Sequence, residues 1–223
     1  MDQVITAAVD VADADGMAAL SMARVADRIG VAVMSLYTHV ASKAELVELM
    51  VDRAMRERDL PGPGHPDRPD SWRAQIELYA QRTRAVHRRH PWLRDAATVR
   101  VPLGPGTMAQ QEYLLLALQE TGLPPREMFA AAGAIATHVD ASAHEETESA
   151  QAETVTGQSW DAWWAERQHV WEEYFDVTEY PTMSQVWAEG NFEEADESDL
   201  EDSYDYGLQR LLDGIQARSE QFR

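Results

Sequence analysis

The sequence lacks cysteine altogether, although the chain is 223 residues long. A chain without thiols cannot form disulfides, thiolate metal sites or a cysteine nucleophile, so these classes of site are excluded. It also lacks a long apolar run, because the densest one, Leu114 to Leu118, is far shorter than the ~20 residues that cross a bilayer. The first residues have neither the basic nor the apolar region of a signal peptide. We therefore expect a cytoplasmic protein without a membrane span.

Positive charge is scarce as well. The chain has 19 Lys and Arg residues against 39 Asp and Glu residues, which gives a formal net charge of -20. Taken alone, this charge disfavours nucleic acids and anionic membranes as partners. The excess is uneven, however: between Asp140 and Asp205 the only basic residue is Arg167, whereas arginine dominates the charges from Ser71 to Arg100. The net charge therefore describes mainly the C-terminal part of the chain.

Apolar residues recur at helical spacing almost throughout, and no stretch has the alternation of a β-strand. We therefore predict an all-α fold. In the first part, predicted helices end near Gly16, run from Ser21 to Gly30, from Val33 to His39, and from Ser42 to about Arg58. Later helices are predicted from residue 72 to the proline at 91 and over residues 108–121, 126–150, 160–177 and 208–218. The acidic residues 190–205 are predicted to form a loop or a mobile segment.

Proline and glycine separate the two groups of helices. The run Pro61-Gly62-Pro63-Gly64, followed by prolines at 66 and 69, interrupts the helical pattern. We predict two domains, residues 1–58 with a connecting helix over 42–58, and the larger helical domain 59–223. Ser42 and Glu45 have capping-box spacing at the start of the connecting helix: the serine oxygen can accept from the Glu45 amide, and Glu45 can reach back.

The two short helices before the connecting helix predict a helix-turn-helix unit. Ala26 is small enough for close helix approach, Gly30 supplies the turn, and Val31 and Leu36 are predicted to fill the space between the helices. A second helix as short as Val33–His39 has little use as a core element. It is better suited to enter the major groove of DNA, which is about 12 Å wide.

The same region carries a resemblance to a known family. The residues concerned are Val25-Ala26-Asp27-Arg28-Ile29-Gly30-Val31 and Leu36-Tyr37-Thr38-His39-Val40-Ala41-Ser42-Lys43, followed by Leu46. They resemble the signature of the tetracycline-repressor (TetR) family over residues 4–50. Three further runs are similar to the C-terminal ligand-binding domain of such regulators: His90-Pro91-Trp92-Leu93, Pro102-Leu103-Gly104-Pro105 and Tyr206 to Gly214.

The resemblance implies a homodimeric transcriptional repressor that binds a palindromic DNA operator. A small molecule that enters the C-terminal domain would release the operator, and no enzymatic activity, metal or cofactor is expected. The resemblance also implies that the helices over 126–150 and 208–218 pair with those of a second copy. The apolar stripe Leu208, Leu211, Leu212 and Ile215 fits that interface, or else covers the core of its own chain.

Carried over position by position, the resemblance implies that the recognition helix faces DNA. The residues expected at the interface are Ser21, Val33, Met34, Ser35, Tyr37, Thr38, His39 and Lys43. Tyr37 and His39 can donate to phosphate, and Ser35 and Thr38 can reach base edges. Lys43 can hold a phosphate together with the free amides at the start of its helix. Arg24 and Arg28 are interpreted either as backbone contacts or as ion-paired surface residues.

The aromatic helix over residues 160–177 predicts a ligand site. It carries Trp160, Trp163, Trp164 and Trp171, which form the wall of an apolar pocket for a planar effector or, alternatively, a packed core. The other residues predicted to contact the effector are Tyr79, Arg82, His87, Met108, Tyr113 and His138.

Two other functions are compatible with parts of the sequence. His138, Asp140, His144, Glu145 and Glu148 could present metal ligands on one helix face, as in a metal-dependent helical enzyme, but a solvated acidic face explains them more simply. The acidic segment 190–205 could instead serve a protein-interaction module. The enzyme alternative has no nucleophile–base pair or phosphate loop to support it.

Overall fold

The computed structural model describes residues 1–96, 103–190 and 197–222. These residues contain ten α-helices and no β-strand, which confirms the all-α prediction. No helix among them is both long and apolar enough to cross a membrane. By internal contacts, residues 1–147 together with 208–223 form one compact unit, and residues 148–207 form another. The domain boundary at 58/59 stays a prediction.

Four helices make up the N-terminal region. They are α1 (Asp2–Asp15), α2 (Met22–Ile29), α3 (Val33–Leu36) and α4 (Lys43–Arg56). As predicted, α2 begins at Ser21, whose hydroxyl accepts from the Arg24 amide at 3.2 Å, and ends at Gly30. Gly30 has a φ of 72°, a left-handed conformation that glycine adopts at little cost. The helix α3 is shorter than the predicted 33–39, because residues 37–39 form turns.

The start of α4 follows the predicted capping box with one difference. The Ser42 hydroxyl accepts from the Glu45 amide at 3.1 Å. The Glu45 carboxylate reaches back, as predicted, but accepts from the Ala41 amide rather than from the Ser42 amide of a standard capping box. Two amide groups at this turn are therefore satisfied by side chains before α4 makes its own hydrogen bonds.

One apolar core holds these helices together. Val25, Leu36, Leu46 and Met50 lose essentially all contact with solvent in it. Burial of each such side chain contributes roughly 1.5–3 kcal/mol to stability. The core also includes Trp92, which follows the next long helix, so the N-terminal helices pack on residues beyond the Pro/Gly run.

The remaining helices of this unit follow the predicted order. They are α5 (Trp72–Arg89), a 3₁₀ turn (Pro91–Asp95), α6 (Pro105–Gln119), the first part of α7 (Pro125–Thr156), the second part of α10 (Glu197–Ser219) and a 3₁₀ turn (Glu220–Phe222). The stripe on α10 packs within its own chain, since Leu208, Leu212 and Ile215 are buried there. Leu211 is half-buried.

The second unit contains α8 (Trp160–Tyr174) and α9 (Pro181–Gly190). No helix was predicted over the residues of α9. The prediction of a loop over 190–205 was wrong for residues 197–205, which belong to α10, whereas residues 191–196 lie outside the described residues. Glutamate is a good helix former, and acidic residues are favourable in the first turn of a helix, so a high acid content does not prevent helix formation.

Candidate DNA-binding surface and effector site

The recognition segment, residues 33–39, turns its apolar side chains in two directions. Leu36 is 1% exposed and anchors the segment in the core, whereas Met34 is 74% exposed. Val33 and Tyr37 are exposed as well. Large apolar side chains held outside a core mark a contact surface.

Val31 corrects one prediction. It was expected to fill the space between α2 and α3, but it is 42% exposed. The buried residues there are Leu36 and Ala26. Gly30 ends α2 in a left-handed conformation and turns the chain before Val31. The exposed apolar surface therefore begins two residues before α3, and the sequence analysis missed Val31 as a candidate DNA contact.

Polar side chains of the recognition segment and of Ser21 can still form hydrogen bonds with DNA. Ser35, Thr38 and His39 are all exposed. The Thr38 hydroxyl donates to the Ser35 carbonyl oxygen at 2.7 Å, so it is left as an acceptor for a base donor. The Ser21 hydroxyl accepts from the Arg24 amide and can still donate its proton to a phosphate.

Lys43 stands at the first turn of α4, with an exposed side chain. It is also the only lysine in the chain. A lysine ammonium beside the N-terminus of a helix is well placed to hold a phosphate oxygen.

The two arginines of α2 form ion pairs with α1. Arg24 contacts the Asp15 carboxylate at 2.5 Å, and Arg28 contacts the Asp10 carboxylate at 3.3 Å. Of the two interpretations of these arginines, the structure favours ion-paired surface residues.

Two family models match this chain, and together they cover most of its length. Residues 4–50 match the family model described as "Bacterial regulatory proteins, tetR family". Residues 65–219, more than half of the chain, match "Tetracyclin repressor-like, C-terminal domain". This chain belongs to the TetR family. It is a DNA-binding transcriptional regulator with an N-terminal helix-turn-helix and a C-terminal helical domain.

Two curated relatives of this TetR-family regulator are HTH-type transcriptional regulators. It is 36% identical over 224 residues to the HTH-type transcriptional repressor DrrR1 of Streptomyces coeruleorubidus, an alignment that covers 100% of this chain and 79% of the relative. It is 31% identical over 226 residues to an HTH-type transcriptional regulator of Saccharopolyspora erythraea, with 97% and 84% covered.

Among solved structures, the TetR-family protein ActR of Streptomyces coelicolor is similar over nearly its whole length. Apo ActR superposes with a TM-score of 0.76 at 25% identity and covers 100% of this chain and 97% of its own. ActR in complex with actinorhodin has a TM-score of 0.75 at 26% identity, with 97% and 94% covered. A complex with (S)-DNPA has a TM-score of 0.76 at 26% identity, with 98% and 97% covered.

The residues predicted to contact an effector fall into both compact units of the regulator. In the first unit, Tyr79, His87 and Tyr113 are buried, and Arg82 and His138 are half-buried. Met108 is 62% exposed, so its side chain contributes little to a buried wall there. Tyr113 donates from its hydroxyl to the Gln75 carbonyl oxygen at 3.2 Å, and its burial raises its pKa.

A buried arginine that was not among the predicted residues lies beside two of them, Tyr79 and Arg82. Arg58 follows α4 and is 1% exposed. Its guanidinium lies 3.3 Å from the Asp140 carboxylate, 5.4 Å from the centre of the Tyr79 ring, and within hydrogen-bonding distance of Gln110. Arg82 donates to the carbonyl oxygen of Arg58 at 3.1 Å. A buried arginine cannot be read from the sequence, because arginine is almost always placed at the surface.

The histidines near Arg58 complete this polar cluster. His87 lies with its Nε2 3.8 Å from the Asp140 carboxylate and its ring centre 4.7 Å from that of His144. Burial, together with the neighbouring His87, lowers the pKa of His144, and Asp140 opposes this effect. No group of three or more metal-binding side chains was found among the described residues.

The second unit contains a stacked aromatic cluster. Trp171 lies 4.6 Å from Trp187 and 4.9 Å from Phe175, measured between ring centres, with the rings nearly parallel. Trp164 lies 5.5 Å from Trp171, and Trp163 lies 6.3 Å from Trp164. The cluster thus includes the predicted Trp163, Trp164 and Trp171 of α8, whereas the side chain of Trp160 lies outside the described part of the chain. It adds Trp187 from α9, which was missed because that helix was not predicted.

The first unit has two surface clefts that are lined by residues other than those predicted to contact the effector. One, of about 310 Å³, is lined by Pro63, Arg68, Leu116, Gln119 and Glu120. The other, of about 260 Å³, lies between α1, α4 and the start of α6. Neither contains a residue that was predicted to contact the effector.

Proposed function

We propose that this TetR-family regulator is a homodimeric repressor that binds a palindromic operator and releases it when a planar small molecule binds its helical domain. The exposed recognition segment carries the proposal, because Leu36 holds it in the core while Val33, Met34 and Tyr37 face outwards. The two segments of a dimer would enter successive major grooves. A regulator of chromosomal genes acts in the cytoplasm, where its operator is.

The contacts we assign to DNA divide by chemistry. Lys43, Tyr37 and His39 hold phosphates and fix the register of the protein on the duplex. Met34 and Val33 offer apolar contacts to thymine methyl groups, so sequence readout depends partly on these contacts and on DNA shape. The acidic body hinders this little, since salt screens charges over about 8 Å at physiological ionic strength.

Dimer formation is supported by an exposed apolar face on α7. Phe129 is 64% exposed, its neighbour Ala130 is exposed too, and Gly133 and Ala134 are exposed about one turn further along the same helix. Small residues let two helices approach closely, and an aromatic side chain supplies area that a partner helix can bury. We assign this face to the contact with the second copy.

The effector we propose is a planar polycyclic molecule that carries acceptor oxygens. ActR binds actinorhodin and (S)-DNPA. In the first compact unit of this chain, Arg58 lies beside the face of the Tyr79 ring, and its buried Nε, which has no hydrogen-bond partner among the described residues, offers a donor. A buried donor is stabilised when it gains an acceptor, so a carbonyl or ionised oxygen is the matching ligand group.

Binding to the DNA that flanks the regulator's own gene tests the first part of the proposal. In a gel-shift titration with competitor DNA, we expect a specific complex that Lys43→Ala and Tyr37→Ala both weaken strongly. Arg167→Ala, a change to an exposed arginine of α8, is the matched control and leaves the complex intact. Wild-type protein that binds operator and random duplex equally would refute the proposal.

Actinorhodin serves as the probe for the second part. We expect it to quench tryptophan fluorescence, to raise the melting temperature and to dissociate the operator complex. Arg58→Met keeps the bulk of the buried side chain without its donors, and we expect weaker binding of the probe to it. A wild-type complex that survives saturation with actinorhodin and with related hydroxyquinones would contradict the effector class while leaving operator binding in place.

A further inference from the structure

His90, the residue that ends α5, lies at a junction that the proposed function does not use. Its side chain is 2% exposed. Its Nδ1 lies 2.7 Å from the Asp13 carboxylate of α1, and its Nε2 lies 3.1 Å from the Glu57 carboxylate at the end of α4. The ring is thus held at both nitrogens by acids from two different helices.

The chemistry of this contact fixes the ring. Each ring nitrogen lies within hydrogen-bonding distance of one carboxylate, and because hydrogen bonds are directional, the two contacts together fix the orientation of the ring. Trp92 donates from its indole N–H to the same Asp13 oxygen at 2.6 Å. Arg89 contacts the Glu57 carboxylate at 3.0 Å. Asp13 is therefore contacted by His90 and Trp92, and Glu57 by His90 and the Arg89 cation.

The contact between His90 and Asp13 joins two parts of the chain that match different family models. Asp13 lies in the part that matches the DNA-binding family model, residues 4–50. His90 and Trp92 lie in the part that matches the C-terminal model, residues 65–219. Apolar packing of Trp92 and Leu93 already joins the two parts, but such packing has no preferred direction, whereas hydrogen bonds are directional.

We propose that His90 is the positioning residue that sets the orientation of the DNA-binding helices on the effector domain. Its two bonds fix α1 and the end of α4 against α5. In the dimer, they set the separation of the two recognition segments. The inference rests on the proposed function, because it concerns how two half-sites are engaged at once.

The test compares two duplexes of equal length, one with the full palindromic operator and one with a single half-site and a scrambled second half. Removing a charge-assisted hydrogen bond weakens an interaction by about tenfold or more. For His90→Gln we therefore expect at least that loss on the full operator and an unchanged affinity for the half-site duplex. His65→Gln alters an exposed histidine of the Pro/Gly run and is the matched control, expected to bind both duplexes like wild type.

A double-mutant cycle shows whether the effect passes through the assigned partner. Asp13→Asn should reproduce the loss of full-operator affinity, and the pair His90→Gln with Asp13→Asn should be no weaker than either single variant. Should His90→Gln not fold, Asp13→Asn and Glu57→Gln are measured alone with the same expectation, since both leave the imidazole in place.

Equal weakening on both duplexes, or none on either, would overturn the positioning role. Additive losses in the cycle would overturn it too. A wild-type protein that binds no duplex specifically would refute both the proposed function and this inference. This outcome differs from the others because the wild-type protein itself then has no measurable preference for the full operator.

Discussion

At the scale of single residues, the recognition segment contains one apolar side chain that stabilises the core and another that is exposed for DNA. Met34 and Leu36 are two positions apart and similar in size, yet one is mostly exposed and the other is buried. Helical geometry separates them, because residues two apart on a helix point to different sides. The segment is therefore both a part of the core and a surface for DNA.

This division predicts opposite effects of two alanine substitutions. Leu36→Ala leaves a cavity in the core and should lower the free energy of unfolding by about 2–5 kcal/mol. Met34→Ala should change it by less than about 0.5 kcal/mol and should weaken operator binding. Urea unfolding and gel-shift titration of both variants check the prediction. A Met34→Ala variant with lowered stability and wild-type operator affinity would contradict it.

His144 predicts a pH dependence of stability. Burial and the neighbouring His87 lower its pKa in the folded chain from the ordinary value of 6.5. The unfolded chain therefore binds the proton more tightly. This disfavours folding as the pH falls below the unfolded value, until the folded ring is protonated as well.

Urea unfolding at pH 8 and pH 5 measures this effect. The loss of stability on acidification should be smaller in His144→Gln than in wild type. His169→Gln, an exposed histidine of α8, should behave like wild type and is the control. An equal loss in wild type and in His144→Gln would show that this ring does not carry the effect.

Residue roles were predictable where local chemistry decides them. Ser21 and Ser42 begin helices as predicted, since a cap needs only the residues that follow it. Contacts such as Arg58 with Asp140, or His90 with Asp13, join residues far apart in sequence. No local pattern specifies them, and they became visible only in the folded chain.

At the scale of elements, α4 joins the recognition segment to the helical domain. It packs against α1 on one side and α6 on the other. Asp52 of α4 is buried, and its carboxylate accepts from the Thr107 amide at the start of α6 at 3.1 Å. A carboxylate at a helix N-terminus is favourable, so α4 provides the cap that α6 does not have within its own sequence.

The close approach of α4 and α6 predicts that Gly106 cannot be replaced. An added Cβ would lie 2.3 Å from the Asp52 carbonyl oxygen, a backbone atom that cannot turn aside. Gly106→Ala should therefore lower the free energy of unfolding by about 1–3 kcal/mol. Gly62→Ala has nothing within 4 Å and is the control. Equal thermal unfolding of both variants would show that the two helices separate easily.

Helix existence was predicted better than helix extent. Amphipathic periodicity identified α1, α2, α4 and α5, whose apolar faces pack in the core. It failed for α9, whose apolar residues Met183 and Val186 are exposed rather than facing a core. A pattern based on burial cannot identify a helix that buries little of its surface.

At the scale of the whole molecule, the proposed dimer is the feature that a single chain shows least directly. Phe129→Glu places a charge on the exposed face of α7 without disturbing the core of its own chain. It should convert the dimer to monomers, because a charge in an apolar interface is costly. Gln81→Glu, at an exposed site of α5, should remain dimeric. Light scattering after size exclusion decides this, and a dimeric Phe129→Glu protein would move the interface elsewhere.

Selective labelling of Lys43 tests most directly whether the recognition segment and the start of α4 contact the operator. Because this is the only lysine in the sequence, an amine-acetylating reagent modifies Lys43 and the α-amine of the chain, and mass spectrometry follows the two rates separately. We predict that the operator duplex slows acetylation of Lys43 severalfold while the α-amine reacts as before, and that a scrambled duplex slows neither. Lys43 acetylated at an unchanged rate in a saturated operator complex would contradict the assigned DNA surface.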